Sequence, residues 1–482
     1  MRMHGNFEKF NTVWHELAYA DDIVVRELIV AKESLKLIYV DDMVDSALLA
    51  KSIVSPILTS KNKTISLELL CNKVLTDAGC ELLDDNDQII HKMLSGFVVI
   101  FTQRDSRALC VACQGYEKRS ITEPPTSAVL RGPREGFIED STVNISLIRR
   151  RVKSKNLAIR QLKVGRRSAT TVSLIYLANV ADDSIVQMVE QKIKKIDIDG
   201  IVDSFFIQSF LEDENNNFFK QVGNSEKPDV IAAKIFEGRV AIVVDGSPIV
   251  LTVPYILFED FQSADDYYAH PYRATFARCI RILGILLAIM LPGVYVAMQS
   301  YHYSLFPSTF LISLLNSIET LSFPPLLEIL FVLFLFEILS EASIRMPKYL
   351  GMALSIVGAL ILGDTAVKAG LISSPSVMMV AISSICLYTV PDQVPTASLL
   401  RVIFTVLGGV AGFFGVMLGI IFVLTCLVSM DSYGSPYLAP YAPYVPKDLK
   451  DALVKHDLKD MFTRPESIPN KNKVRMHSDN KD

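Results

Sequence analysis

Bulk charge is nearly absent from this 482-residue chain: 48 Lys and Arg stand against 52 Asp and Glu, a formal net charge of −4. Neither a basic footprint for nucleic acid nor an acidic tail dominates, so bulk charge does not select its partners. Cysteine is scarce, with seven at 71, 80, 110, 113, 279, 386 and 426, too scattered for a disulfide framework. Cys110 and Cys113 form a CxxC inside ALCVACQG, which reads as a strand. Residues i and i+3 of a strand point to opposite faces, so the pair reads as structural thiols and not as a metal or redox site. None of the seven histidines has metal-ligand spacing. The first half holds no glycine-rich phosphate loop, HExxH, GxSxG or DxDxDG loop. The expectation is a non-enzyme with no catalytic residues, no metal and no cofactor. The first thirty residues contain no apolar core of signal-peptide length, so the N-terminal half is expected to be cytosolic.

Half of the residues are hydrophobic, and the long apolar runs lie beyond about residue 279. Before that point the chain is charged and patterned, and it repeats. LKLIYVDDMVDSALLAKSIV from Leu35 and VSLIYLANVADDSIVQMVEQ from Val172 each read as a buried strand, acidic cap residues and a helix. GFVVIFTQRDSRALCVAC from Gly96 and GRVAIVVDGSPIVLTVP from Gly238 each read as two β-rich runs joined by a turn. The offsets agree, at 137 (172 − 35) and 142 (238 − 96) residues. The fold class expected is an α/β cytosolic N-terminal region of two related subdomains plus an all-α polytopic transmembrane domain. The divisions are 1–118 for the first subdomain, 119–164 for a connector, 165–270 for the second subdomain, 271–430 for the membrane helices and 431–482 for a polar tail.

In the apolar half, Ile280 to Met298 is a spanning-length segment flanked by Arg273, Arg278 and Arg281, which puts its start inside. The loop 299–323 lacks Lys and Arg, as an outer loop should, and its stretch 305–318 reads as interfacial or re-entrant. Further spans are read at 325–345, 349–372, 376–390 and 402–430. Five spans would leave the tail, with nine Lys or Arg after residue 446, outside, although basic segments stay inside. One stretch is therefore miscounted: either 305–318 is a full span or 376–390 is a partial one. The last span, 29 residues, would measure ~43 Å against a hydrocarbon core of ~30 Å, so it must tilt, kink or protrude. Gly408, Gly412, Gly415 and Gly419 share one face of it as a helix, for close packing within the chain or between identical subunits.

Charged residues interrupt the apolar runs. Glu328 is expected to reach the outer interface. Glu337, Glu341 and Arg345 follow one helix face, with Glu341 and Arg345 as an i,i+4 pair. Glu337 sits near the helix middle, where a lipid-facing charge costs several kcal/mol, so it is expected to meet protein, water or a counter-charge, or to be protonated. Asp364 and Lys368 form a similar pair in the next apolar span. Together they read as the polar lining of an assembly, which either carries ions or locks helices together. In the connector, Arg131, Gly132, Pro133, Gly136, Glu139 and Asp140 read as a turn with mixed charge, a hinge or an inter-subunit coupling element.

The motifs EPPTSAVLRGPREGFIED (123–140), NISLIRRR from Asn144, DDYY (265–268), FPPLLE (323–328), EASIRMPKYLG (341–351), SIVGALILGDTAVKAGLISS (355–374) and YGSPYLAPYAP (433–443) occur in order. With them the chain resembles the A subunit of the GerA-type spore germinant receptors of endospore-forming bacteria. It departs from that pattern at Ser127, Ser340 and Ser343, where the family often has Glu, Arg and Gly. The resemblance implies a receptor subunit in the inner membrane of the spore, contacting membrane lipid and no nucleic acid. It also implies a transporter-like B subunit that binds the nutrient, a lipoprotein C subunit, and homo-oligomers that form a nutrient-gated ion channel. A non-conducting scaffold for the sensing partner is the alternative.

Overall fold

The computed structural model describes residues 7–17, 20–30, 33–60, 66–75, 79–103, 105–115, 131–212, 218–309, 311, 312, 315, 323–345 and 364–476. Alternating apolar residues build its first sheet. Leu35, Leu37 and Tyr39 face one side and Ile38 and Val40 the other, and each set joins a separate core cluster. The strands are β1 (Ile23–Val30), β2 (Glu33–Val40), β3 (Cys80–Leu83), β4 (Phe97–Thr102) and β5 (Ala108–Ala112). Helix α1 (Glu8–Glu16) buries Phe10 and Val13 on one face of the sheet, while α2 (Ser46–Thr59) buries Leu49, Ile53 and Ile57 on the other. The second sheet comprises β6 (Leu157–Val164), β7 (Thr170–Leu177), β8 (Gly223–Ser225), β9 (Val240–Val244) and β10 (Val250–Val253). Its faces are covered by α3 (Ser141–Arg151) with α6 (Pro228–Phe236), and by α4 (Asp183–Lys194) with α5 (Ser204–Leu211).

The strand orders match: β1-β2-β4-β5-β3 and β6-β7-β9-β10-β8, with every ladder pairing antiparallel. The paired sequence segments occupy corresponding elements, as the spacing expects. The second sheet nevertheless begins at Leu157, inside the stretch read as connector, and α3 from that stretch covers its face. Cys110 and Cys113 fall in the two opposite clusters of the first sheet. Burial pushes their thiols up to about 12 and about 11.

A buried ion pair joins the two sheets' domains. Asp140 caps α3 by accepting from Thr142 N at 2.8 Å, and at the far end of the helix Arg149 forks onto Asp22 with both side chains 2% exposed or less. Asp21 N donates to Ile159 O at 2.9 Å beside it, joining the edges of the sheets.

The helical half comprises α7 (Pro271–Tyr301), α8 (Pro325–Arg345), α9 (Ser374–Leu387) and α10 (Val394–Ser429). Helix α10 is not one straight rod. At Gly412 the backbone takes φ 60°, ψ −145°, open to glycine and strained for other residues. There the chain reverses, and a Cβ on Gly419 would lie 3.1 Å from the Phe404 ring, fifteen residues earlier. A straight helix would hold those residues ~22 Å apart. Both ends of α10 accordingly reach the second sheet's domain: Thr396 Oγ1 donates to Phe218 O at 2.6 Å, and after Ser429 the Tyr437 hydroxyl donates to Lys220 O at 2.9 Å. The single long span expected over 402–430 is thus two legs, 394–411 and 413–429. Each is ~26 Å long, so the excess length disappears.

The tail closes the arrangement. Ser432 Oγ accepts from Tyr255 N and donates to Gln221 O, Asp451 pairs with Arg278, and Lys471 N donates to Val180 O at 2.8 Å. The tail therefore lies on the same side of the helices as the sheets. The reversal at Gly412 brings the tail to that side; of the two stretches suspected of a miscount, 305–318 lies partly outside the described residues and 376–390 falls on the 14-residue α9. Residues 310, 313, 314 and 316–318 of the apolar loop and 349–363 of the third apolar stretch lie outside the described residues.

Truncating the joint has a defined cost. Arg149→Ala strands Asp22 without its partner and should lower stability by about 3–5 kcal/mol. Denaturant unfolding read from Trp14, the chain's one tryptophan, should show the loss, and Arg149→Met with Asp22→Ala should recover most of it. Beside this pair burial, then Asp22 and Asp41, push Asp42 up to about 7. Between about pH 4 and pH 7 the folded state binds the proton that the unfolded state has released, so stability falls as pH rises through this window. Asp42→Asn should flatten that slope in the same titration.

Candidate functional site

Helix α8 carries its acids toward three different surroundings. Glu337 points to α10, where Arg401 Nη2 donates to its Oε2 at 3.1 Å and Ser398 Oγ donates to its Oε1 at 2.8 Å. Arg401 is buried, with its side chain 2% exposed, and its Nη1 also donates to Ser384 Oγ at 3.1 Å. The Glu337 side chain stays 55% exposed. One and two turns on, Glu341 and Arg345 pair at 2.8 Å and are 60% and 77% exposed. The three residues form an open charged face on an otherwise apolar helix. Asp364 and Lys368 pair at 2.6 Å, also largely exposed.

The counter-charge required for Glu337 is present, and it comes from a residue that sequence reasoning missed. Arg401 lies one residue before the window taken as the last span. Its signal was a lone arginine within LLRVIF facing a lone glutamate in another apolar run. Glu328 corrects a second expectation. It does not reach an interface: it is fully buried, and its Oε1 accepts from Ser373 N at 2.6 Å, capping α9. A carboxylate can stand there because the amide dipoles at that helix start face it.

The four glycines sit at close approaches within the protomer. A Cβ on Gly408 would lie 2.2 Å from the Gly293 carbonyl oxygen of α7, and one on Gly415 would lie 2.2 Å from Leu407 O in the first leg. Gly412 meets the Tyr301 ring, and Gly419 the Phe404 and Leu407 side chains. The Tyr301 hydroxyl donates to Val410 O at 2.8 Å, serving a carbonyl freed near the reversal. The stripe lets the two legs and α7 lie together, so the straight-helix face drawn from the sequence is instead the inside of a fold-back.

The connector residues are brought onto the base of α7. Gly132 has φ +113° and packs against the Tyr268 ring, where a Cβ would fall 2.5 Å from the ring edge. Arg131 N donates to Asp265, Glu139 O accepts from Gly246 N at 2.8 Å, and Asn144 binds the Ile138 backbone through both amide atoms. Gly136 is buried and Pro133 partly so. Glu135 pairs with Arg151. Behind Tyr268, burial would raise Asp266, but Arg281, the Ser263 N–H and Arg278 outweigh it and hold the carboxyl below its usual value. Among the described residues no group of His, Cys, Asp and Glu is placed to hold a metal.

Known proteins are similar in sequence to most of this chain. The family model described as Bacillus/Clostridium GerA spore germination protein matches residues 11–467. Spore germination protein KA of Bacillus subtilis is 36% identical over 96% of this chain and 87% of its own. Spore germination protein GerLA of Bacillus cereus is 30% identical over 98% and 97%. A Bacillus subtilis relative at 33% identity over 89% and 84% is named an uncharacterized membrane protein, YfkQ. A crystal structure of the N-terminal domain of the A subunit of the Bacillus megaterium spore germinant receptor GerK3 matches 52% of this chain and 94% of its own, at 26% identity and TM-score 0.39. With nearly its whole length matched, this chain belongs to the GerA family of spore germination proteins.

Proposed function

We propose that this chain is a multi-pass subunit of a nutrient receptor in the inner membrane of the spore, and that copies of it assemble into a nutrient-gated ion channel. The observation that carries the reading is the open face of Glu337, Glu341 and Arg345. Two helical segments, 271–301 and 391–429, are long and apolar enough to cross a membrane, the second folded at Gly412. Phe414, Ile421, Phe422 and Val428 on its outer leg are each more than half exposed, which suits lipid and not water. At that depth a charged face toward acyl chains costs several kcal/mol, so sister helices or a water-filled route must cover it. Arg401 beneath Glu337 sets the position of the carboxylate while leaving it open to an ion.

The fold-back supports an even number of crossings. Helix α7 leaves the sheets, α8 returns, α9 starts at the far end beside Glu328 and returns, and the two legs of α10 go out and back. Counting the apolar stretch read from the sequence at 349–372 as a further span gives six in all, and the basic tail then stays with a cytosolic N-terminal half. Tyr268 packed on Gly132 gives the connector a direct handle on the base of α7. A B subunit of transporter type would sense the nutrient, and a lipoprotein C subunit would complete the receptor. The paired state of Glu337 and Arg401 favours one other reading, a non-conducting scaffold whose charges only lock helices.

Glu337→Gln separates the two. Spores carrying it should assemble the receptor normally and show cation release on nutrient exposure slowed at least tenfold; unchanged release contradicts a lining role. Cysteines at Glu341 should form cross-links between copies, and none should form at Leu400, which is buried within its own protomer.

A further inference from the structure

Where α7, α8 and α9 meet, away from the sheets, five polar side chains lie under apolar cover. Tyr295, Gln299, Glu328, Ser373 and Ser376 are each 2% exposed or less, within a cluster that includes Val296, Ile329 and Val380. They converge. Glu328 Oε1 accepts from Ser373 N at 2.6 Å, and Ser373 Oγ donates to Ser376 Oγ at 2.9 Å. Tyr295 lies within electrostatic reach of Glu328, beside both serines, and Gln299 follows one turn later on the same helix face. Among the described residues four of their atoms have no hydrogen-bond partner: Glu328 Oε2, the Tyr295 hydroxyl, and both Gln299 amide atoms, Oε1 and Nε2.

Such a cluster is expensive as it stands. A buried carboxylate with one hydrogen bond and no counter-charge among the described residues has lost its hydration without replacement, and the orphaned amide and hydroxyl atoms add to that penalty. The free groups that accept are a carboxylate, a phenolic and an amide oxygen, hard donors that suit a hard cation and not a soft metal. The single negative charge, with no lysine or arginine paired to it among the described residues, matches a monovalent ion. We propose that Glu328 Oε2, the Tyr295 hydroxyl and Gln299 Oε1 bind one monovalent metal cation, sodium or potassium, which joins α7, α8 and α9. The site is separate from the open Glu337 face and is enclosed within one protomer. It rests on the bilayer reading above only for keeping water out.

The test is thermal unfolding of the full chain in detergent, with choline chloride replaced by sodium or potassium chloride at constant ionic strength. Ligand linkage predicts a saturable rise in Tm of several degrees with one or both metals. Glu328→Gln, which keeps an acceptor for Ser373 N, should fold and lose the cation dependence. Gln299→Leu and Tyr295→Phe leave the carboxylate in place; each should raise the half-saturating concentration at least tenfold, and they carry the test if Glu328→Gln does not fold. Identical Tm in all three salts, or full cation dependence retained in these variants, overturns the site. A cation-dependent Tm without nutrient-gated flux leaves the site standing and defeats the channel, and the converse defeats the site alone.

Discussion

The reversal at Gly412 is the constraint on which the rest of the helical half depends. Only glycine adopts that backbone conformation without strain, and once the chain turns there the other glycines become necessary. Gly415 and Gly419 let the returning leg lie on the first, and Gly408 lets the first lie on Gly293 of α7. The returning leg then delivers residues 431–437 to the second sheet's domain, where Ser432 and Tyr437 complete backbone hydrogen bonds that the loop 218–221 and Tyr255 would otherwise leave open. The tail is thus a strap that ties the helices' base to the second sheet's domain.

That base is mechanically continuous with the connector. Arg278, fully buried, reaches Asp266 and Asp451 at once, while Tyr268 one step away holds Gly132. From Gly132 the chain passes through Asp140, which starts α3, to Arg149, which grips the first domain at Asp22. The Arg278–Asp266 and Arg149–Asp22 pairs at the two ends of this path are buried, so a displacement at one has to be met along the chain between them. The path gives the sheets a continuous mechanical connection to the helices.

The two sheets were legible because their information is local. Alternation in LKLIYV and VSLIYL sets which residues face in, and the turns at 103–107 and 245–249 set the hairpins. Even the opposed faces of Cys110 and Cys113 followed from strand geometry. The boundary near residue 157 was not legible, since NLAIRQLKV alternates less regularly than its counterparts. The fold-back escaped for a physical reason: glycines spaced four, three and four apart give the same apolar pattern in a straight helix and in a hairpin. Glu328 was misplaced because its partner is a backbone N–H 45 residues away, which leaves no mark in side-chain pattern. Glu337 meets Arg401, which escaped notice because it fell just outside an apolar window drawn to exclude charge.

The most direct measurement is the distance between spin labels at positions 399 and 424, both exposed on α10. Folded at Gly412, the two legs pack at about 8–10 Å between axes, and the labels should lie within roughly 20 Å of one another. A straight helix would separate these positions by ~38 Å; a distance near that value would remove the fold-back, the even crossing count and the strap together.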